Sequence, residues 1–158
     1  MASSKARKIP GKIVKWQANP VDESQQETDP TLPVRPSVLR GKTYRIYTPL
    51  SEHSLYVIIN DITLNPGTPD EIRRPFEIFV NTKSTEHFQW IVALTRVTSA
   101  IFRRGGDLWF LVSEFKSVHD PKGGRLTKDG YVPSLVAEIG IVLEKHFKEI
   151  GLKPGKGI

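Results

Sequence analysis

The chain has 158 residues, of which 38% are hydrophobic, and this suits one domain of ordinary size. It contains no cysteine, which excludes disulfides, thiolate metal ligands and thiol redox chemistry in this polypeptide. No apolar run approaches the roughly 18 residues that cross a membrane, and residues 1–15 lack the apolar segment of a secretory signal. We therefore expect a cytoplasmic protein that does not contact a membrane.

The net charge of +6 is concentrated at the ends of the chain. Residues 1–15 carry five basic and no acidic side chains, whereas residues 41–152 carry 14 basic and 13 acidic ones. A domain that binds nucleic acid should carry its positive charge on the fold itself. The distribution therefore favours a solvated basic arm, and it allows contact with nucleic acid only through residues 1–15.

The first 40 residues have the composition of an arm and a linker. Residues 17–40 contain four prolines among polar residues, a pattern typical of a linker without fixed structure. Before it, residues 12–16 (KIVKW) have the composition of one short strand that would dock on the sheet or on a partner. We predict three regions: a basic arm with an acidic, proline-rich linker over 1–40, a folded domain over 41–152 and a short basic tail over 153–158.

Three strands are predicted in the first half of the domain. Residues 43–48 alternate apolar with polar side chains, which is typical of a half-buried strand. Residues 54–64 (SLYVIINDITL) are rich in β-branched side chains and predict a long central strand. Residues 65–67 (NPG) fit a type II turn with glycine where φ must be positive. Residues 75–81 predict the third strand of an antiparallel meander, with Phe76, Ile78 and Val80 on one face and Glu77 and Phe79 on the other.

The first helix is predicted from Ser84 or Thr85, either of which can cap its free N–H groups, with Glu86 favourable in its first turn. Gly105 and Gly106 end it. The apolar positions that helical spacing assigns to the core are Phe88, Ile91, Leu94, Val97 and Ile101.

Two further helices are predicted after the glycine pair. Asp107 can cap the second helix, although residues 109–112 also fit a strand. Residues 125–132 fit a small hairpin or a loop, and Ser134 caps the third helix, which Gly151 ends. The sequence thus predicts an α+β domain, in which about three helices pack on one face of a three-stranded antiparallel sheet, with a flexible N-terminal arm.

No catalytic or metal site is predicted from the residues. The glycine pairs at 105–106 and 123–124 fit neither the Walker nor the Rossmann pattern, so they are interpreted as helix ends and turns. The four histidines, at 53, 87, 119 and 146, lack metal-ligand spacing. Glu52 and His53 fit an acid–base pair, but no nucleophile motif accompanies them, and an ordinary polar loop is favoured.

Surface contacts are predicted from side chains that the core does not require. Trp90 and Trp109 fall off the apolar stripes of their helices, as interface aromatics do. Arg73 and Arg74 begin the third strand, where adjacent side chains point to opposite faces, so at most one aims at a given ligand. The candidates for partner binding are Arg73, Arg74, Asn81, His87, Trp90 and Trp109, and those for anion binding are Arg73, Arg74, Lys122 and Arg125.

Four stretches carry a resemblance to a known family. The longest is RRPFEIFVNTKSTEHFQWIVALTRVTSAIFRRGGD, residues 73–107, and the others are residues 48–67, 115–124 and 131–147, with residues 11–16 as a weaker addition. They resemble the small NrdJb-type subunit of split class II, adenosylcobalamin-dependent ribonucleotide reductase. That subunit is related to the TSCPD domain at the end of single-chain enzymes.

The resemblance implies an accessory, non-catalytic subunit that docks on a large chain and supports deoxyribonucleotide synthesis. The large chain carries the cobalamin, the radical cysteine and the nucleotide sites, so no cofactor is expected on this chain. Related reductase tails carry a cysteine pair that returns electrons to the active site, and this chain has none. The alternative is therefore a phage-encoded structural or binding protein that reuses the fold, as a particle component or an inhibitor of a host system.

Overall fold

The computed structural model describes residues 32–83 and 87–155, which lie within a compact unit that spans Thr31–Ile158. The predictions for residues 1–31, including the short strand at 12–16, lie outside the described residues. The elements in chain order are β1 (Arg40–Ile46), β2 (Leu55–Leu64), β3 (Ile72–Thr82), α1 (Phe88–Arg104), α2 (Trp109–Ser117), β4 (Arg125–Thr127), β5 (Gly130–Val132) and α3 (Leu135–Glu149). The predicted α+β class is confirmed.

The main sheet is antiparallel with the order β1-β2-β3. Val57 of β2 pairs with Tyr44 and Val80, and Ile59 pairs with Ile78, so these residues share one face. That face packs against the helices and forms the core with Phe102, Leu111, Phe115, Leu143 and Phe147 among others. The turn after β2 has the predicted geometry, because Gly67 has φ 75° and the Thr68 N–H donates to the Asn65 carbonyl.

A β-bulge interrupts the pairing of β2 with β3. Asn60 pairs with Glu77, but the next residue, Asp61, pairs with Pro75, so Phe76 is the extra residue. Because side chains alternate along a strand, the extra residue moves Arg73 to the face of the sheet that carries Asp61. Buried Asp61 thereby gains Arg73 as a cationic neighbour, whereas regular pairing would have placed Arg73 on the opposite face.

Helix α1 lies along the outer edge of β3, where the backbone of an edge strand has no neighbouring strand. The buried Ser99 hydroxyl accepts from the Ile78 N–H at 3.0 Å and contacts the Ile78 carbonyl oxygen at 3.4 Å. One serine thus satisfies backbone groups that a fourth strand would otherwise pair.

Replacing Ser99 by alanine should lower the free energy of unfolding by about 1–3 kcal/mol, because the buried Ile78 N–H loses its acceptor. Urea titration followed by circular dichroism measures the change. The matched control is Ser113→Ala, at an exposed position of α2, which should change stability by less than about 0.5 kcal/mol. Equal effects of the two substitutions would contradict the role given to Ser99.

The predicted core face of α1 was wrong in part. The side chains that α1 buries are Thr95, Thr98, Ser99 and Phe102. Phe88 and Val97, which were assigned to the core, are each 60% exposed. The two threonines tolerate burial because their hydroxyls donate to the carbonyls of Val92 and Leu94. The predicted start of α1 at residues 84–86 lies outside the described residues, and its predicted end at Gly105 is confirmed.

The remaining predicted elements are confirmed. The Asp107 carboxylate accepts from the Trp109 N–H at 2.9 Å at the start of α2, which is a helix and not a strand. The Ser134 hydroxyl caps α3 by accepting from the Ala137 N–H at 3.1 Å. Between these two helices, β4 and β5 form the small antiparallel hairpin.

Candidate functional site

A buried polar network joins the sheet to α3. His146 Nε2 lies 2.8 Å from Asp61 Oδ1, and both side chains are at most 1% exposed. Arg73 binds the other carboxylate oxygen through two nitrogens, at 2.9 and 2.7 Å. On the opposite side of the imidazole, His146 Nδ1 lies 2.8 Å from the Tyr44 hydroxyl. The order tyrosine, histidine, carboxylate resembles the relays that enzymes use for proton transfer.

The network continues outward from Tyr44 to the protein surface. Its hydroxyl donates to Glu149 Oε2 at 2.8 Å, and Lys42 Nζ lies 2.8 Å from the same oxygen. Burial and the hydrogen bond to Glu149 raise the pKa of Tyr44. The hydrogen bond from Lys42 lowers the pKa of Glu149. The tyrosine therefore remains a neutral donor at physiological pH, and the carboxylate remains an acceptor.

This network is structural because no substrate can reach its titratable pair. His146 is 0% exposed and packs edge-on against Tyr44, with ring centroids 5.7 Å apart. A general base must come within about 3 Å of the proton that it removes. Asp61 and His146 were not identified from the sequence. The available signal was a carboxylate at an inward position of a strand otherwise rich in β-branched residues.

Two of the four predicted anion-binding residues are neutralised within the fold. Arg73 is held by Asp61, as above. Arg125 Nε lies 2.6 Å from Glu138 Oε1, and both side chains are largely buried. Lys122 is exposed in a turn, where its backbone N–H donates to the Asp120 carboxylate. Arg74 is half-buried and lies beside the C-terminal end of α1, where its Nη2 donates to the Gly106 carbonyl at 2.7 Å.

The predicted partner-binding residues are not brought together. Asn81 is exposed on the outward face of the sheet opposite Tyr56. His87 is exposed at the start of α1 with φ 65°. Trp109 serves the core, since its ring packs edge-on against Phe147 and its indole N–H donates to the Leu152 carbonyl at 3.1 Å.

Trp90, by contrast, lies in an exposed apolar surface of α1. Trp90, Ala93, Leu94 and Val97 line a shallow depression of about 400 Å³. Trp90 is 70% exposed and Val97 is 60% exposed. We call this surface, formed by residues 90, 93, 94 and 97, the α1 face. A contiguous apolar surface that contains tryptophan is typical of a protein–protein contact.

The segment before β1 is fixed to the outward face of the sheet. The Arg35 guanidinium donates to both oxygens of Glu77, at 2.9 and 2.8 Å, and the Asn60 amide donates to the same carboxylate at 2.8 Å. The hydrogen bond from Arg35 is the main cause that lowers the pKa of Glu77 below its ordinary value of 4.5. Contacts of the fold therefore extend to residues before Gly41.

Glu77→Gln should reduce the loss of stability in acid. Because the pKa of Glu77 is lower in the folded than in the unfolded state, its contribution is complete above the ordinary value of 4.5 and disappears as the pH falls below it. Urea midpoints at about pH 7 and about pH 3.5 should therefore differ less in this variant than in the wild type. Glu52→Gln, in an exposed loop, should keep the wild-type difference. An unchanged difference in Glu77→Gln would refute the assignment.

Comparison with known proteins places this fold in a family. The sequence model of the TSCPD domain matches residues 26–147, which include every strand, α1, α2 and most of α3. The chain belongs to the TSCPD domain family. TSCPD domains are associated with ribonucleotide reductase-related proteins. No curated protein and no solved structure matches the chain significantly. The matched region of the TSCPD domain contains both the buried network and the α1 face.

Within residues 32–83 and 87–155, no helix of this TSCPD domain is long and apolar enough to cross a membrane. The same part of the chain holds no group of three or more side chains that is suited to bind a metal ion.

Proposed function

We propose that this TSCPD-domain protein is a non-catalytic accessory subunit of a class II ribonucleotide reductase system. It docks on the large catalytic chain and thereby supports deoxyribonucleotide synthesis. The adenosylcobalamin and the radical chemistry belong to the large chain. The observation that carries the proposal is an exposed apolar helix face within a domain of a reductase-associated family.

The α1 face supplies the contact in this proposal. Trp90 is a large side chain with few rotatable bonds, and tryptophan is enriched among residues that dominate binding energy. Arg96 is exposed on the same helix and forms no salt bridge with any described residue. The matching surface of the large chain should therefore be apolar with an acidic residue at its rim.

The chemistry of the chain supports a binding role over a catalytic one. The polypeptide has no cysteine, so it cannot carry electrons to a reductase active site by thiol exchange. Its one histidine–carboxylate pair among the described residues is buried and inaccessible. What remains available to a partner is surface shape and charge.

Reconstitution tests the proposal. The large chain from the same genome, loaded with adenosylcobalamin, is assayed for deoxyribonucleotide formation with and without this protein, and complex formation is followed by size-exclusion chromatography. We expect a stable complex and a rate or substrate affinity that depends on this protein. Absence of both would overturn the proposal. A symmetric oligomer that does not bind the large chain would instead favour a structural or binding protein that reuses the fold.

A further inference from the structure

A cleft of about 330 Å³ lies between the segment before β1, the end of β2 and the C-terminal end of α1. Part of its lining is apolar and includes Leu32, Pro33, Ile62, Leu64, Phe76 and Phe102. Three arginines, Arg74, Arg103 and Arg104, also line it. The volume is near the lower end of the roughly 300–1,000 Å³ that is typical of ligand sites, so the occupant should be small.

Arg74 is held in place with part of its hydrogen-bonding capacity unused. Its Nη2 donates to the Gly106 carbonyl at 2.7 Å, whereas its Nε is buried and has no partner. A buried guanidinium N–H without an acceptor is unfavourable, so the charge of Arg74 is only partly compensated within the fold, and the part of its side chain that lines the cleft can bind an anion. The backbone of Gly105 passes close by, because a Cβ added there would lie 2.9 Å from Arg74 Nη1.

The other two arginines add uncompensated positive charge. Arg103 lies over the Phe76 ring at 5.9 Å, and Arg104 is exposed. Neither forms a salt bridge with a residue of the described part of the chain. The C-terminal end of α1 contributes roughly half a negative charge, which three guanidiniums outweigh. The pKa of Glu77 is lowered mainly by the hydrogen bond from Arg35 and to a smaller extent by the charge of Arg103. Because Arg35 already binds that carboxylate, Glu77 is not available to neutralise Arg103.

We propose that this cleft binds a small organic phosphate, with the phosphate group on Arg74 and Arg104 and an apolar or planar part against the wall of Leu64 and Phe102. A phosphate matches the site better than a carboxylate does, because its two negative charges and several acceptor oxygens can engage more than one guanidinium. The site is distinct from the α1 face and does not depend on the reductase proposal.

Isothermal titration calorimetry of the full-length protein tests the assignment, with phenyl phosphate as the probe and benzoate as its singly charged counterpart. We expect saturable binding of one phenyl phosphate and at least tenfold weaker binding of benzoate. Arg74→Gln and Arg104→Gln should each weaken the binding of phenyl phosphate at least tenfold. The matched control is Arg45→Gln, which removes an exposed arginine of β1 that does not line the cleft, and its affinity for phenyl phosphate should stay within twofold of the wild type.

Three results would overturn the proposal. The first is no saturable binding to the folded wild type. The second is an equal loss of affinity in Arg45→Gln, which would indicate general charge attraction, and the third is unchanged affinity in Arg104→Gln. Because Arg104 is exposed, its substitution should leave the circular dichroism spectrum intact, so the test does not depend on whether the Arg74 variant folds.

Discussion

The free energy of unfolding should fall by about 3–5 kcal/mol when Asp61 is replaced by alanine. The substitution removes the carboxylate that lies 2.8 Å from His146 Nε2, and His146 is 0% exposed. It also frees Arg73, but that side chain is 42% exposed and can be solvated, so most of the cost arises at His146. A loss of this size is a large fraction of the roughly 5–15 kcal/mol that stabilises a typical domain.

Urea unfolding at neutral pH measures this effect, and Asp70→Ala provides the matched control. Asp70 is exposed in the loop between β2 and β3, so its loss should cost less than about 0.5 kcal/mol. Asp61→Asn keeps one acceptor oxygen, so its loss of unfolding free energy should lie between those of Asp61→Ala and Asp70→Ala. If Asp61→Ala cost no more than Asp70→Ala, the buried network would not stabilise the fold.

Trp90→Ala should weaken binding to the large reductase chain by about 2–4 kcal/mol, or roughly 30- to 700-fold in Kd. This prediction rests on the proposed function. The side chain is 70% exposed in the isolated domain, so its removal leaves little unfilled space in the core and should affect binding far more than folding. Surface plasmon resonance with the immobilised large chain measures the affinity.

The control for this experiment is Tyr47→Ala. Tyr47 is 80% exposed and follows β1, whereas α1 lies along β3 at the other edge of the sheet. Its loss should leave Kd within about twofold of the wild type, in the range of near-neutral surface contacts. Equal effects of the two substitutions would show that contact is not made through the α1 face. Unfolding midpoints of both variants should match that of the wild type.

The strands, helices and turns were largely predictable because their signals are local. The β-branched side chains of residues 54–64 predicted β2, the Ser134 hydroxyl predicted the start of α3, and Gly67 predicted the turn. Each signal acts through side-chain type, backbone conformation or a hydrogen bond within a few residues. The bulge at Phe76 was not predicted, since one extra residue in a pairing depends on the partner strand.

The candidate site was predicted less well. Trp90 was predicted to be exposed, and it is. Trp109 was also predicted on the surface, but it packs against the core. Phe88 was predicted in the core, but it is exposed. Arg74 was identified as an anion candidate together with Arg73, whereas the structure pairs Arg73 with Asp61 and places Arg74 beside Arg103 and Arg104. Adjacent residues on a strand point to opposite faces, so Arg73 and Arg74 have different neighbours. Those neighbours belong to β2 and α1, which the residues around Arg73 and Arg74 do not specify.

The sequence by itself determined the order of the elements, the Ser134 cap of α3, the turn at Gly67 and the absence of thiol chemistry, because each follows from nearby residues or from composition. The tertiary structure alone decided which face of α1 is buried, because the contact of Ser99 with the Ile78 backbone brings a partly polar side of the helix inward and leaves Val97 of the predicted apolar stripe exposed. It also decided that Asp61 meets His146, 85 residues later in the chain. Contacts at that separation depend on how whole elements pack, and no local pattern encodes them.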